Sequence, residues 1–149
     1  MIKLKTKHPN ILVVGDLILD EYLWGECSRI SPEAPVQIIK IDRENQILGG
    51  AGNVIHNLKT LGAKVDVISV IGECGSSMQL QKLLKNISVD ISNLITEKKR
   101  ISSKKSRIIA ANQQVVRFDR EISNDISKKS QTLLLNNFQK LVSKYDVIL

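Results

Sequence analysis

Three glycines in four positions, within Leu48-Gly49-Gly50-Ala51-Gly52-Asn53, run directly into Val54-Ile55-His56-Asn57-Leu58-Lys59-Thr60-Leu61-Gly62. Such a stretch leaves the backbone without side-chain bulk, so a ligand can approach its amides. The segment behind it predicts a helix. Val54, Ile55, Leu58 and Leu61 fall on one face, and Gly62 stands at the usual stop position. A glycine turn feeding a helix N-terminus offers N–H groups and the positive end of the helix dipole to oxygen-rich ligands. Taken alone, the pattern equally describes a tight turn ahead of an ordinary packing helix.

The flanking sequence reads as an α/β chain. Ile11-Leu12-Val13-Val14 is a continuous apolar run closed by Gly15-Asp16, as expected of a strand buried on both faces. Ligands of parallel sheets gather beyond the carboxyl ends of the strands, which places Asp16 and Asp20 near the expected crevice. Each could also be a local turn-former. Tyr22–Ala34 reads as polar and irregular, Val36–Ile41 as a strand, and Asp42–Gln46 as a turn. Val65–Ile71 completes a strand–helix–strand unit, and Ser76 or Ser77 is expected to cap a helix carrying Leu80, Leu83, Leu84 and Ile87. Ser106–Phe118 reads as a hairpin turning at Ala110–Gln113, outside the βαβ rhythm and so assigned to a separate small sheet. Ser127–Lys144 is a predicted helix with Leu134, Phe138, Leu141 and Val142 inward, and Asp146–Leu149 begins another strand.

A chain of 149 residues is long enough for one domain with a real core. Its longest apolar runs fall far short of the ~18 residues of a membrane span. Met1–Lys7 is basic without an apolar segment behind it, so the expected location is the cytoplasm. Cys27 and Cys74 lie far apart, without a zinc spacing, and are expected to be free thiols. The net charge of +7 raises the question of nucleic acid. Lys98, Lys99, Arg100, Lys104, Lys105 and Arg107 do cluster, but no aromatic residue lies among them to stack bases. A solvated face or a phosphate-contacting strand is the expectation, with no nucleic-acid or membrane partner.

Taken together the motifs resemble a known family. Gly49-Gly50-Ala51-Gly52-Asn53, followed by Gly62 and Gly72, is similar to the first signature of the ribokinase-like, phosphofructokinase-B type carbohydrate kinases. Ile55 departs from it, standing where a small residue is usual. Val14–Asp20, Ser28-Arg29-Ile30-Ser31-Pro32-Glu33-Ala34-Pro35-Val36 and Asn112–Asp119 resemble one branch in particular. That branch is the D-glycero-β-D-manno-heptose 7-phosphate kinases, found as the kinase domain of bifunctional heptose kinase/adenylyltransferases of lipopolysaccharide core synthesis.

The resemblance implies a Rossmann-like α/β ribokinase fold with a small β-sheet lid, drawn from segments near 22–45 and 100–120. It implies that Asp20 binds sugar hydroxyls, with Gly49, Gly50 and Asn53 lining the same site and Asp16 a second acidic contact. Lys105 and Arg107 fall on the lid hairpin. With Arg29 or Arg117 as further candidates, they are expected to hold the phosphate already on the sugar, since a guanidinium binds phosphate bidentately. The implied cofactors are ATP and Mg²⁺, whose binding elements are mostly missing here. In the family a Gly-Ala-Gly-Asp motif of the second half supplies the catalytic base. Gly50-Ala51-Gly52-Asn53 resembles that motif only superficially, and a neutral Asn53 amide is no general base. The expectation is therefore residues 1–149 as the N-terminal part of one kinase domain, truncated after about half the fold and inactive alone. A partial sequence, one piece of a split enzyme working with a separate C-terminal half, and a relic all remain open. So does a non-catalytic sugar-phosphate-binding protein. Homodimerisation through the lid is a further expectation.

Overall fold

A computed structural model of the chain describes residues 8–149; the basic Met1–Lys7 stretch lies outside the described residues. Two sheets share the core. The first is wholly parallel, with strand order β5-β4-β1-β8, from β1 (Asn10–Val14), β4 (Lys64–Gly72), β5 (Leu94–Glu97) and β8 (Val147–Ile148). Ile11, Leu12 and Val13 of β1 are all buried, as a two-sided apolar run requires. Val65, Val67, Ile68 and Ile71 of β4 are buried beside them. β8 forms one edge, with Ile11 opposite Val147.

The second sheet has the order β3-β2-β6-β7, from β2 (Leu17–Ile30), β3 (Gln37–Gly50), β6 (Lys104–Ala110) and β7 (Gln113–Arg120). β2–β3 and β6–β7 are antiparallel, whereas β2–β6 is parallel. The separate small sheet expected for the Ser106–Phe118 hairpin is present, turning at Ala111 and Asn112 with positive φ. Tyr22–Ala34 and Asp42–Gln46, expected to be irregular and a turn, are instead mostly ladder. Leu17 to Ile30 pair with Gly50 back to Gln37, with irregularities at Trp24/Gly25 and Cys27/Arg29. Most of β3 is exposed, so its polar residues carry no apolar alternation, and pairing with β2 rather than burial sets its conformation.

Among the described residues there are three helices, α1 (Ala51–Thr60), α2 (Gly75–Asn86) and α3 (Lys128–Leu141), the last continued by a 3-10 turn at Val142–Lys144. In α1, Ile55 is 0% exposed and Gly52 packs on Leu48 and Leu17, while Val54 and Leu61 face solvent. The inward face is thus narrower than the spacing predicts, because only one side of this short helix meets the sheets. Gly62, with φ +88°, ends it and donates its amide to the Lys59 carbonyl at 3.0 Å. At α2 the N-cap is Cys74 rather than Ser76 or Ser77. Ser77 is buried instead, its hydroxyl 2.9 Å from that of Ser102. Leu80 and Leu84 are fully buried, and α3 is capped by Ser127, whose hydroxyl accepts the Ser130 amide at 3.2 Å. Cys27 and Cys74 are both free thiols, and no helix among the described residues is long and apolar enough to cross a membrane.

Candidate functional site

Over Leu17–Tyr22 β2 alternates. Leu17, Leu19 and Glu21 are buried on its core face, which turns Ile18, Asp20, Tyr22 and Trp24 to the other. Register then selects their neighbours. Lys105 lies opposite Asp20 and Arg107 opposite Tyr22 on β6, while Arg117 and Asp119 lie opposite Arg107 and Lys105 on β7. One face of the second sheet therefore collects Asp20, Lys105, Arg107, Arg117 and Asp119.

The centre is an ion pair. Arg107 Nη1 donates to Asp20 Oδ1 at 2.6 Å, with the two side chains 19% and 18% exposed. This bond holds the guanidinium pKa above its ordinary value, against partial burial. Lys105 Nζ reaches Asp119 at 3.2 Å and Glu121 at 3.8 Å, while Arg117 grips Asp119 with two bonds of 3.0 Å. Desolvation would raise the Asp119 pKa, but the bonds from Arg117 and Lys105 prevail and hold its carboxyl below the usual range.

The glycines serve this geometry in two ways. Gly49, opposite Ile18, lies so close to Asp20 that a β-carbon there would fall on the Asp20 carboxylate. Gly50 adopts φ +56° at the α1 N-cap, where a β-carbon would stand 2.6 Å from the Asp16 carbonyl oxygen. That carbonyl accepts the Ala51 amide at 2.9 Å, so one of the amides expected to cradle a ligand is engaged by the protein itself.

The remaining expected residues stand apart from this cluster. Asp16 is exposed in the β1–β2 connection and opens onto a cavity of about 400 Å³ with Leu17, Val70, Arg100 and Ser103. Asn53, in the first turn of α1, lines a cavity of about 230 Å³ with Leu48, His56, Leu83, Asn86 and Ile87. Arg29 is exposed near the far end of β2, nine residues from Asp20, or roughly 30 Å along an extended strand.

Two features escaped the sequence reading. Arg107 lies over Tyr22 (5.1 Å), Tyr22 stacks on Trp24 (5.7 Å, 20°), and Arg43 covers Trp24 (4.1 Å). Tyr22 and Trp24 at period two were the available signal, hidden by treating the segment as irregular. The second is Glu21, 6% exposed on the core face, whose carboxylate accepts from Lys104 (2.7 Å), Ser106 (2.6 Å) and Gln46 (2.8 Å). Burial would raise its pKa, yet these bonds together hold it below the ordinary glutamate value. A charged residue following Leu17 and Leu19 at the same spacing was its signal.

The sequence model of the pfkB family carbohydrate kinases matches residues 8–149. Among curated proteins, the bifunctional protein HldE of Aliarcobacter butzleri is 54% identical over 144 residues, covering 97% of this chain and 30% of its own length. The bifunctional protein HldE of Sulfurimonas denitrificans is 52% identical over 145 residues, with the same coverage of 97% and 30%. The chain thus spans under a third of the length of these relatives. Among solved structures, a ribokinase from Thermotoga maritima superposes with a TM-score of 0.59 at 16% identity, covering 94% of this chain and 44% of that one. A carbohydrate kinase from Agrobacterium tumefaciens gives 0.60 at 21% identity, covering 75% and 35%. These likenesses establish an α/β ribokinase-like fold, in which the parallel sheet carries a mixed second sheet.

Proposed function

The chain belongs to the pfkB family of carbohydrate kinases, and from that footing we propose that it is the sugar-binding, N-terminal part of an ATP-dependent kinase domain. The proposed substrate is D-glycero-β-D-manno-heptose 7-phosphate, phosphorylated at O1 in the cytoplasm on the way to ADP-heptose and the lipopolysaccharide core. The observation that carries the reading is the Asp20–Arg107 pair, with Lys105 on the same sheet face.

A phosphosugar needs acceptors for hydroxyl groups and cations for phosphate, close together. Asp20 is acceptor-only when ionised and has a second oxygen beyond the one held by Arg107. Arg107 carries five N–H donors and commits Nη1 to Asp20, so its other edge can take a phosphate oxygen. Lys105, opposite Asp20, adds a second cation, and Arg117 lies opposite Arg107. Gly49 gives Asp20 its place, Gly50 shapes the entry to α1, and Asp16 and Asn53 are proposed to contact sugar from the flanking cavities. The second sheet would act as the lid, and as the surface through which two copies pair.

ATP and Mg²⁺ are implied by the family. Among the described residues no three His, Cys, Asp or Glu side chains converge on one point, but Mg²⁺ held through substrate phosphates and water needs no such group. We assign phosphoryl transfer to no residue of this chain. The test is incubation of the purified chain with the heptose phosphate and ATP. Binding of the sugar without ADP release is expected; ATP-dependent phosphorylation by the chain alone would overturn the assignment as a substrate-binding part.

A further inference from the structure

We infer that Glu21 is a positioning residue: from the buried face of the second sheet it fixes the register of β2 against β6, and so places Asp20, Lys105 and Arg107 on the opposite face. The binding half of this inference rests on the function proposed above. The register half does not.

The β2–β6 pair is the weak point of the sheet's specification. The β6–β7 pair is closed by a tight turn, and β2–β3 by the short Ser31–Val36 connection, where the Ser31 amide donates to the Val36 carbonyl at 2.8 Å. β2 and β6 run parallel and have no such turn between them. Yet the site depends on their alignment. A one-residue slip would carry Lys105 and Arg107 to the core face, and a two-residue slip would move Arg107 by about 7 Å along the strand.

Glu21 sits where that slip can be resisted. Its neighbours in the chain are Asp20 and Tyr22, both on the site face. Its carboxylate bonds to Ser106 and to Lys104, two residues apart on β6, and to Gln46 on β3. Ser106 is flanked by Lys105 and Arg107, so one carboxylate on the back of the sheet fixes the residues on either side of it on the front. Displacement in either direction separates Glu21 from Ser106, and displacement away from Lys104 also breaks the ion pair and leaves the buried charge with Gln46 alone, which is costly. Leu17 and Leu19 fill the same face with apolar side chains and no such directionality. An apolar residue at position 21 would pack without discriminating between registers.

The test uses the full chain with Glu21→Met/Lys104→Met, which removes the ion pair and replaces it with unbranched apolar side chains. Two measurements are made: the affinity for heptose 7-phosphate, and the NMR contacts between the Tyr22 ring and the Arg107 side chain. A purely stabilising ion pair replaced in this way would leave both unchanged. The register role predicts a folded variant with at least about tenfold weaker binding and lost or weakened Tyr22–Arg107 contacts. Glu21→Gln, which keeps one acceptor oxygen at the same place and offers the other bond to the Ser106 hydroxyl as a donor, is expected to retain those contacts and bind within about threefold of the parent. Binding and contacts unchanged in the double variant would overturn the inference. If the double variant does not fold, Ser106→Ala removes one bond: weakened contacts support the role and unchanged contacts overturn it. If the parent itself does not bind the heptose phosphate, the functional proposal fails and the contacts alone judge the register.

Discussion

The carboxylate of Asp20 packs over Gly49, with Oδ2 too close to leave room for a β-carbon there. Two residues that a sequence presents as separate motifs are one packed unit across the β2–β3 ladder. Gly49→Ala must push the carboxylate away and with it the bond to Arg107. The expected result is a folded chain whose sugar-phosphate affinity falls by about tenfold or more. Isothermal titration with circular dichroism on the same sample checks it.

Gly50 differs from its neighbour because its constraint is conformational. Alanine there must hold φ +56° and meet the Asp16 carbonyl oxygen, so Gly50→Ala should cost about 1–3 kcal/mol in urea unfolding. Gly62→Ala is the control. It also requires positive φ, but its nearest neighbour is the His8 ring at 3.6 Å, so about 1 kcal/mol is expected.

The buried Glu21 carboxylate gives the acid limb of stability a specific component. Its folded pKa lies below the ordinary value, so its contribution is present above the ordinary glutamate range and lost as pH falls through the lowered value. Glu21→Gln should therefore destabilise the chain by about 1–2 kcal/mol at neutral pH, with the gap closing in acid. Urea midpoints of both proteins from pH 7 to pH 2.5 measure this.

Tyr145 supplies the alkaline counterpart. Burial, then its 2.6 Å hydrogen bond to Asp66, pushes its pKa up to about 12. A raised folded value means that the contribution is complete below the ordinary tyrosine value of 10.0 and is lost as pH rises through about 12. The chain has two tyrosines, so Tyr145→Phe leaves Tyr22 alone. Ultraviolet titration should show a late tyrosinate step in the parent that is missing from the variant.

Much of this was legible in the residues. The β1 run, the Gly62 stop and the Ser106–Phe118 hairpin follow from periodicity and punctuation, because burial and local φ preference decide them. The long β2–β3 ribbon was not legible, since its outer part is exposed and its partner rather than the core organises it. At the site, Asp20, Lys105 and Arg107 share one sheet face, whereas Asp16 and Asn53 open onto separate cavities, an arrangement set by strand register rather than by the motifs themselves. The spacing of Glu21 behind Leu17 and Leu19 marks it as inward-facing, but its partners Lys104 and Ser106 depend on a parallel register between distant strands that no local pattern encodes.

The most direct measurement is isothermal titration of heptose 7-phosphate into the parent chain, Asp20→Asn and Arg107→Gln. The account predicts saturable binding by the parent. It predicts at least about tenfold weakening in each variant, since each loses one partner of a charge-assisted pair. Parent-like affinity in both variants would contradict the assignment of the Asp20–Arg107 pair as the centre of the site.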